Sequence, residues 1–396
     1  MKQFDYLIVG GGMTAAAAAN GIREVDEDGS IAIFSRENRP PYDRPPLTKG
    51  LWTGKKSEDD IWRQVPGDVT YYEGRAVTAL DAEMRRATDG MGEVYVYGKL
   101  LLATGGQPRR LPFGGDNIIY YRDFSSYQRL HELSQNYERF TVIGGGFIGS
   151  ELAAALAMNG KQVTMVFPEE GIGARIFPAE LSAYLNRYYT DHGVEVLAGE
   201  TVTDVEGEGT ELAVVTGEGR RIAANGVVAG IGIVPDVALA EKAVLKVDDG
   251  VLVDPSLRTD DDHIYAAGDV ANFYDYALGD HRRVEHEDAA NSMGRQAGRN
   301  MAGAGEDYSY SPMFYSDLFE HGYEAVGVLD SRLETFADWQ EPYEKGVIYY
   351  LDGGRVRGAL LWNVWDKVDA ARALITEANQ IDSEPITRET LRGRLG

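Results

Sequence analysis

Residues 5 to 22, DYLIVGGGMTAAAAANGI, pass from an apolar β-branched run through a glycine cluster into an alanine-rich stretch, and residues 141 to 160, TVIGGGFIGSELAAALAMNG, repeat that order. In each, the apolar run predicts a strand buried on both faces, and the small and apolar spacing after the glycines predicts a packed helix. A second short apolar run follows each loop, SIAIF at 30 to 34 and KQVTMVF at 161 to 167, and later a run ending in small residues, LLLATGG at 100 to 106 and GVVAGIG at 226 to 232. Such alternation continues to about residue 300, the pattern of parallel sheets covered by helices. HIYAAGDVANF (263 to 273) adds a strand and a glycine turn, and VEHEDAANSMGRQAGRNMAG reads as a helix, together a return to the first domain. From about residue 308 the pattern changes: EAVGVL, KGVIYYL and VRGALLW predict strands separated by turn residues, and DKVDAARALITEA predicts a closing helix.

The glycine spacing gives the repeated unit its chemistry. In Gly10-x-Gly12-x-x-Ala15 the first glycine permits a tight turn, the second lets a pyrophosphate reach the backbone, and the small third residue lets helix and strand pack closely. Gly144-x-Gly146-x-x-Gly149 has the same arithmetic. Phosphate then sits on a helix N-terminus, where unpaired N–H groups and the helix dipole favour negative charge. The predicted fold class is α/β: two Rossmann-like dinucleotide-binding domains, glutathione-reductase-like in arrangement, with a small α+β C-terminal domain. Residues 1–110 with 233–307 form the expected FAD-binding domain, 111–232 the NAD-binding domain and 308–396 the C-terminal domain. One unit is expected to hold FAD and the other NAD, because a hydride passing from one bound dinucleotide to another needs two pyrophosphate cradles. Each loop also needs an acid after its second strand for the adenosine ribose hydroxyls. Glu37 is the candidate in the first unit, with a solvated loop acid as the plainer reading, and Glu169 is the candidate in the second. VFPEEG contains no arginine to pair a ribose 2′-phosphate, which favours NADH over NADPH, although Arg175 lies six residues beyond Glu169.

Composition narrows the remaining choices. A chain of 396 residues is long enough for two or three domains, and 43% apolar content is enough to give each a core. The net charge of −24 repels phosphate backbones and anionic lipid, so neither nucleic acid nor a membrane surface is an expected partner. No apolar run approaches eighteen residues and no basic leader precedes the first strand, so the expectation is a soluble, cytoplasmic protein. The absence of cysteine removes disulfides, thiolate nucleophiles, iron–sulfur ligation and cysteine-type zinc sites together. No metal is expected, and redox chemistry has to run through bound cofactors.

The strings PYDRPPLTKGLW (41 to 52), LLLATGGQPR (100 to 109), IGGGFIGSELA (143 to 153), IYAAGD (264 to 269) and EHEDAA (285 to 290) together resemble the FAD-dependent pyridine nucleotide oxidoreductases. MFYSDLFEHGYEAVGVLDS (313 to 331), KGVIYYL (345 to 351) and LLWNVWDKVDAARALI (360 to 375) are most similar to the apoptosis-inducing factor family, with the ferredoxin reductases as near relatives. The resemblance implies that Gly10, Gly12, Thr14 and Ala15 hold the FAD pyrophosphate, with Glu37, or Arg36 in its place, near the adenosine. Arg44 and Lys49 would contact the flavin, and Thr104, Gly105, Arg109, Gly268 and Asp269 the rest of FAD. On the nicotinamide side it implies Gly144, Gly146, Phe147, Ile148, Gly149, Glu151, Glu169, Arg175, Gly232, Glu285 and His286, with Trp362 lining the pocket. Lys49, Glu151 and His286 are the implied catalytic residues. Plainer readings stand beside several of these: a surface lysine, a solvated helix glutamate, a satisfied loop histidine and, for Trp362, a core aromatic.

The implied activity is that of an FAD-dependent NADH oxidoreductase. Flavin and nicotinamide supply the chemistry while the protein supplies position, nicotinamide C4 lying about 3 to 3.5 Å from flavin N5. Phe147 is expected to cover the flavin and swing out when NADH arrives, and Lys49 and Glu151 to pair beside N5. The missing redox cysteines exclude the disulfide-reductase and cysteine-dependent peroxidase branches. The family resemblance further implies slow reoxidation through a long-lived complex of reduced flavin with NAD⁺, and a homodimer on reduction. The electron acceptor, whether a small quinone, oxygen or a redox protein, is left open. Two other functions compete: a reductase feeding a ferredoxin or rubredoxin, and a redox-sensing flavoprotein that signals by dimerising and recruiting a partner. Relative to the animal members, the stretches after GLW and before KGVIYY are too short for their extra hairpin and long insertion, which argues against a DNA-binding or insertion-gated death function.

Overall fold

The computed structural model describes residues 1–380 and 386–396. The chain packs into two units, one made of Met1–Asp43, Asp59–Gln107 and Val234–Phe314, the other of Arg44–Glu58, Pro108–Ile233 and Tyr315–Gly396.

In the first unit the strand Lys2–Val9 lies between Ile31–Phe34 and Val94–Leu102, all parallel, with Thr70–Tyr72 beyond Ile31–Phe34 and Ile264–Ala266 against Val94–Leu102. Leu7 and Ile8 are fully buried, as a strand covered on both faces requires. The antiparallel hairpin Val77–Asp81 and Arg86–Asp89 extends the same sheet. The sequence pattern does not predict that hairpin, because its outer strand is mostly exposed and has no apolar stripe to betray it. The two helices expected in this domain, Met13–Arg23 and Glu287–Met301, approach each other at backbone distance. A Cβ on Gly298 would lie 2.1 Å from the Ala18 carbonyl oxygen, one on Gly21 2.2 Å from that of Arg295, and one on Gly294 2.5 Å from that of Thr14. Glycine at these positions lets the returning helix seat directly on the helix that follows the first loop.

The second unit contains a five-stranded parallel sheet in the order Val194–Ala198, Gln162–Phe167, Arg139–Ile143, Gly226–Ala229, Ile118–Tyr120. A three-stranded antiparallel meander, Val202–Glu208, Glu211–Thr216 and Arg221–Ala224, precedes the strand Gly226–Ala229. The C-terminal sheet runs Met313–Leu318, His321–Gly327, Arg355–Trp362, Lys345–Asp352, Glu334–Glu341, and the helix Val368–Ala378 packs on it. The strands read from EAVGVL, KGVIYYL and VRGALLW are all present. Two more flank them: Met313–Leu318, where buried and exposed residues alternate, and Glu334–Glu341, which has no fully buried residue. The α/β fold class with two dinucleotide-binding folds holds. Among the described residues, no helix is long and apolar enough to cross a membrane, and no cluster of three or more His, Asp or Glu could hold a metal ion.

Candidate active site

Each glycine loop leaves the C-terminal end of its strand where the neighbouring strands lie on opposite sides, the position at which open α/β sheets bind nucleotides. Gly10 and Gly144 have φ of +123° and +111°, a region closed to most side chains. A Cβ on Gly10 would meet the Ala103 carbonyl oxygen at 2.0 Å, and one on Gly144 that of Gly230 at 2.4 Å. In both loops, therefore, the turn is pressed against the residue that follows a neighbouring parallel strand. Gly12 and Gly146 are the N-caps of the helices Met13–Arg23 and Phe147–Met158, and neither helix start has a side-chain cap. A Cβ on either would point where no protein atom lies within 4 Å. The residues fit a dinucleotide: each loop offers uncapped helix N–H groups to a pyrophosphate and has glycine where a side chain would obstruct it.

Around the first loop, Ala15 is fully buried, and Thr14 lies against Gly268, whose Cβ would come 2.3 Å from the Thr14 Oγ1. Thr104 donates to the Asp236 carbonyl at 2.7 Å, and Gly105 takes φ of +67°. Glu37 accepts a 2.7 Å hydrogen bond from the Tyr42 hydroxyl, while Arg36 is exposed and pairs with Asp236 at 3.1 Å. Arg283 links Glu285 at 2.5 Å to the Asp269 carbonyl at 3.3 Å. His286 stands at the N-cap position of the helix Glu287–Met301 without a side-chain cap hydrogen bond, and its ring stacks on Phe314, with centroids 4.4 Å apart and planes within 11°. Although part of its surface is exposed, close packing around the ring desolvates the imidazolium and pushes the His286 pKa down to about 4, against the opposing pull of Asp269.

Around the second loop, Gly149 admits no side chain, since its Cβ would lie 1.9 Å from the Gly144 carbonyl oxygen. Phe147 is half-buried and Ile148 exposed, both in the first turn of the helix. Glu151, one turn further, is buried and ion-paired with Lys49. Its carboxylate also accepts from the Thr48 hydroxyl at 2.5 Å on Oε2 and from the Ser316 hydroxyl on Oε1. Burial holds the Tyr189 and Tyr323 phenols well above the usual tyrosine range, and the negative charge of Glu151 adds to the effect. Lys49 has further contacts with the Tyr315 ring at 5.4 Å and the Asp317 carboxylate at 3.9 Å. The arrangement holds a buried carboxylate with donors on both of its oxygens and an ammonium group at a fixed position beside it.

Glu169 follows the strand Gln162–Phe167 and is gripped by Arg175, with Nε and Nη2 at 2.8 and 2.6 Å from Oε1. The Arg109 backbone N–H bonds the Gly232 carbonyl at 2.9 Å, and Arg44 donates to the Arg122 carbonyl at 2.6 Å. Trp362 is fully buried, its indole N–H satisfied by the Tyr343 carbonyl at 2.8 Å and its ring packed by Phe177 and Tyr323. Those neighbours support the core reading of Trp362 given beside the pocket reading. Thr48, Ser316 and Tyr323 are not singled out by the sequence pattern. The available signals are a hydroxyl next to Lys49 and a small polar residue at a buried register in MFYSDL.

Residues 4–294 match the family described as pyridine nucleotide-disulphide oxidoreductase, and residues 297–342 and 336–377 match the C-terminal domain described as apoptosis-inducing factor, mitochondrion-associated. The chain is 35% identical to apoptosis-inducing factor 1, mitochondrial, of Dictyostelium discoideum, covering 96% of this chain and 80% of that protein. It is 32% identical to the 5,5′-dehydrodivanillate O-demethylase ferredoxin reductase subunit of Sphingobium sp., covering 97% and 96%. Among solved structures it is similar to the covalent putidaredoxin reductase–putidaredoxin complex, with a TM-score of 0.88 and 27% identity over 96% of this chain and 94% of that one. The chain belongs to the pyridine nucleotide-disulphide oxidoreductase family, as an FAD-dependent NAD(P)H oxidoreductase of the apoptosis-inducing factor-like kind.

Proposed function

We propose that the protein oxidises NADH with FAD as its resident cofactor, FAD lying on the loop Gly10–Ala15 and NADH on the loop Gly144–Gly149. The observation that carries this reading is the pair of uncapped helix starts with matching glycine geometry. When bound, FAD supplies an acceptor for the hydride of nicotinamide C4. The chain's part is binding, orientation and charge. The domain limits 1–110 with 233–307 for FAD and 111–232 for NAD go with this assignment, as do the other residues assigned to the two cofactors by resemblance except Trp362, which is packed in the core of the C-terminal sheet.

Within it, Lys49 and Glu151 form the catalytic ion pair, and Phe147 is the mobile cover of the nicotinamide position. His286 is kept neutral by its packing and stands at a helix start. Its unprotonated ring adds no positive charge there at neutral pH. Glu169 receives the adenosine ribose of NADH. Because Arg175 is already committed to Glu169, it is a poor partner for a 2′-phosphate, which supports the NADH preference. Glu37, oriented by Tyr42, is the better placed of the first-unit candidates for the FAD ribose, since Arg36 is engaged by Asp236.

The acceptor divides the remaining readings. Similarity to ferredoxin reductases favours an electron-carrier protein as the oxidant, whereas the match to the C-terminal domain of apoptosis-inducing factor favours slow reoxidation with a long-lived NAD⁺ complex and a reduced homodimer in the cytoplasm. Steady-state NADH oxidation with oxygen, a small quinone, and a ferredoxin or rubredoxin separates these. Rapid turnover with the carrier alone selects the reductase. Slow turnover with every acceptor, together with an NADH-dependent increase in mass on gel filtration, selects the apoptosis-inducing factor type. Failure of NADH to reduce the protein at all removes both.

A further inference from the structure

We propose that Ser316, seconded by Thr48, is a positioning residue that sets the orientation of the Glu151 carboxylate for NADH oxidation; this rests on the proposed role of the Lys49–Glu151 pair. The strand Met313–Leu318 alternates buried and exposed residues, so three consecutive side chains address both members of that pair. Ser316, buried, donates to Glu151 Oε1, which also accepts from Lys49. Tyr315 and Asp317, on the opposite face, flank the Lys49 ammonium at 5.4 and 3.9 Å.

The Tyr323 phenol, on the neighbouring strand, is hydrogen-bonded to Ser316. A serine hydroxyl has a single proton, and here it is committed to the carboxylate. Thr48 donates to the other oxygen, Oε2. A carboxylate with donors on both oxygens cannot rotate about its terminal bond without losing one of them, and hydrogen bonds to a charged group are the strong ones. Lys49, on a long flexible stem, can follow Oε1 as it moves, whereas Ser316 donates to the same oxygen from a short side chain on a paired strand, so that with Thr48 on Oε2 it fixes the plane of the carboxylate. The C-terminal sheet thus completes an ion pair whose two members lie in earlier segments of the chain.

The test is stopped-flow bleaching of the FAD-loaded protein by NADH, with the limiting rate and the NADH affinity read separately. Ser316→Ala is expected to slow the limiting rate about tenfold or more, the loss of one hydrogen bond to a charged group, with NADH affinity unchanged. Ser316→Thr, which keeps the hydroxyl, is expected to restore most of that rate. In a Glu151→Gln background Ser316→Ala is expected to add little, because residues acting through one group are not additive. A wild-type rate in Ser316→Ala, or the same fold-loss in both backgrounds, overturns the proposal. If Ser316→Ala fails to retain FAD, the isosteric Thr48→Val takes its place in both backgrounds: a slowed rate that vanishes with Glu151→Gln supports the proposal, and an unchanged rate or an equal fold-loss overturns it. If Ser316→Ala slows bleaching while Glu151→Gln does not, the Lys49–Glu151 reading itself falls and takes this proposal with it.

Discussion

The two glycine loops are built alike up to the N-cap and diverge immediately after it. Both turn at a positive-φ glycine pressed on a neighbouring strand end, and both have a second glycine whose side-chain direction is open. Then the first helix continues MTAAAAA, small residues that let a glycine-bearing helix seat on its outer face, while the second presents Phe147 and Ile148 outward and Glu151 inward. A shared cradle suits a shared ligand part, the pyrophosphate. What differs in the first helical turn suits what differs between a resident cofactor and an exchanging one: a static packed face in one case, a half-exposed aromatic and a paired carboxylate in the other.

The sharpest way to break this comparison is to fill the two cradles one at a time. Gly12→Val is expected to leave the apoprotein folded, because the added Cβ meets no protein atom, and to yield colourless protein that fails to retain FAD; absorbance and melting temperature check both halves. Gly146→Val is expected to stay yellow and lose NADH-driven bleaching. Equal loss of FAD in both variants would show that the loops do not divide the cofactors. Next in size, Lys49→Met leaves Glu151 buried without its cation, and such a break costs about 3 to 5 kcal/mol in a fully buried pair. Chemical denaturation should register most of that loss, and bleaching should slow with it.

The third small residue offers an asymmetry of intermediate size. Gly149→Ala places a Cβ 1.9 Å from a backbone oxygen and should cost about 1 to 3 kcal/mol, the usual penalty of overpacking. Ala15→Gly in the matching position of the first loop should cost only about 0.5 to 1 kcal/mol. Denaturant midpoints of the two variants compare the loops directly, and equal costs would contradict the closer helix approach in the second.

The smallest effect concerns His286. Its folded pKa is lowered to about 4 from an ordinary 6.5, so between those values the unfolded chain binds a proton that the folded chain refuses. Stability from this group is full above about pH 6.5 and is lost progressively down to about pH 4. His286→Phe should remove that part of the acid-side decline, read as the difference between stability–pH curves of variant and parent.

Much of this is legible in the sequence because it depends on local backbone constraints. A glycine at φ of +123° or +111° is demanded by the turn itself, so GxGxxA and GxGxxG announce the loops without knowledge of their surroundings. The returning helix is legible for the same reason, as a helical stretch after a glycine turn. What stays hidden depends on distant partners. Ser316 reaches Glu151 across 165 residues of sequence, and a serine in a strand signals nothing until the strand beside it is known. The commitment of Arg175 to Glu169 is likewise invisible, since spacing brings the two close but does not make them a pair. Trp362 reads as a pocket wall or core with equal justice, and only its neighbours show the indole N–H already satisfied. The outer strands Val77–Asp81 of the hairpin and Val202–Glu208 of the meander are mostly exposed and have too little apolar periodicity to be read.

Anaerobic titration of the FAD-loaded protein with NADH, followed by visible absorbance, tests the division of labour between the two loops most directly. Stoichiometric bleaching of the flavin by NADH is expected, with much weaker response to NADPH, and no bleaching in Gly146→Val despite full FAD content. A protein that purifies with no flavin, or one whose flavin NADH leaves oxidised, would contradict it.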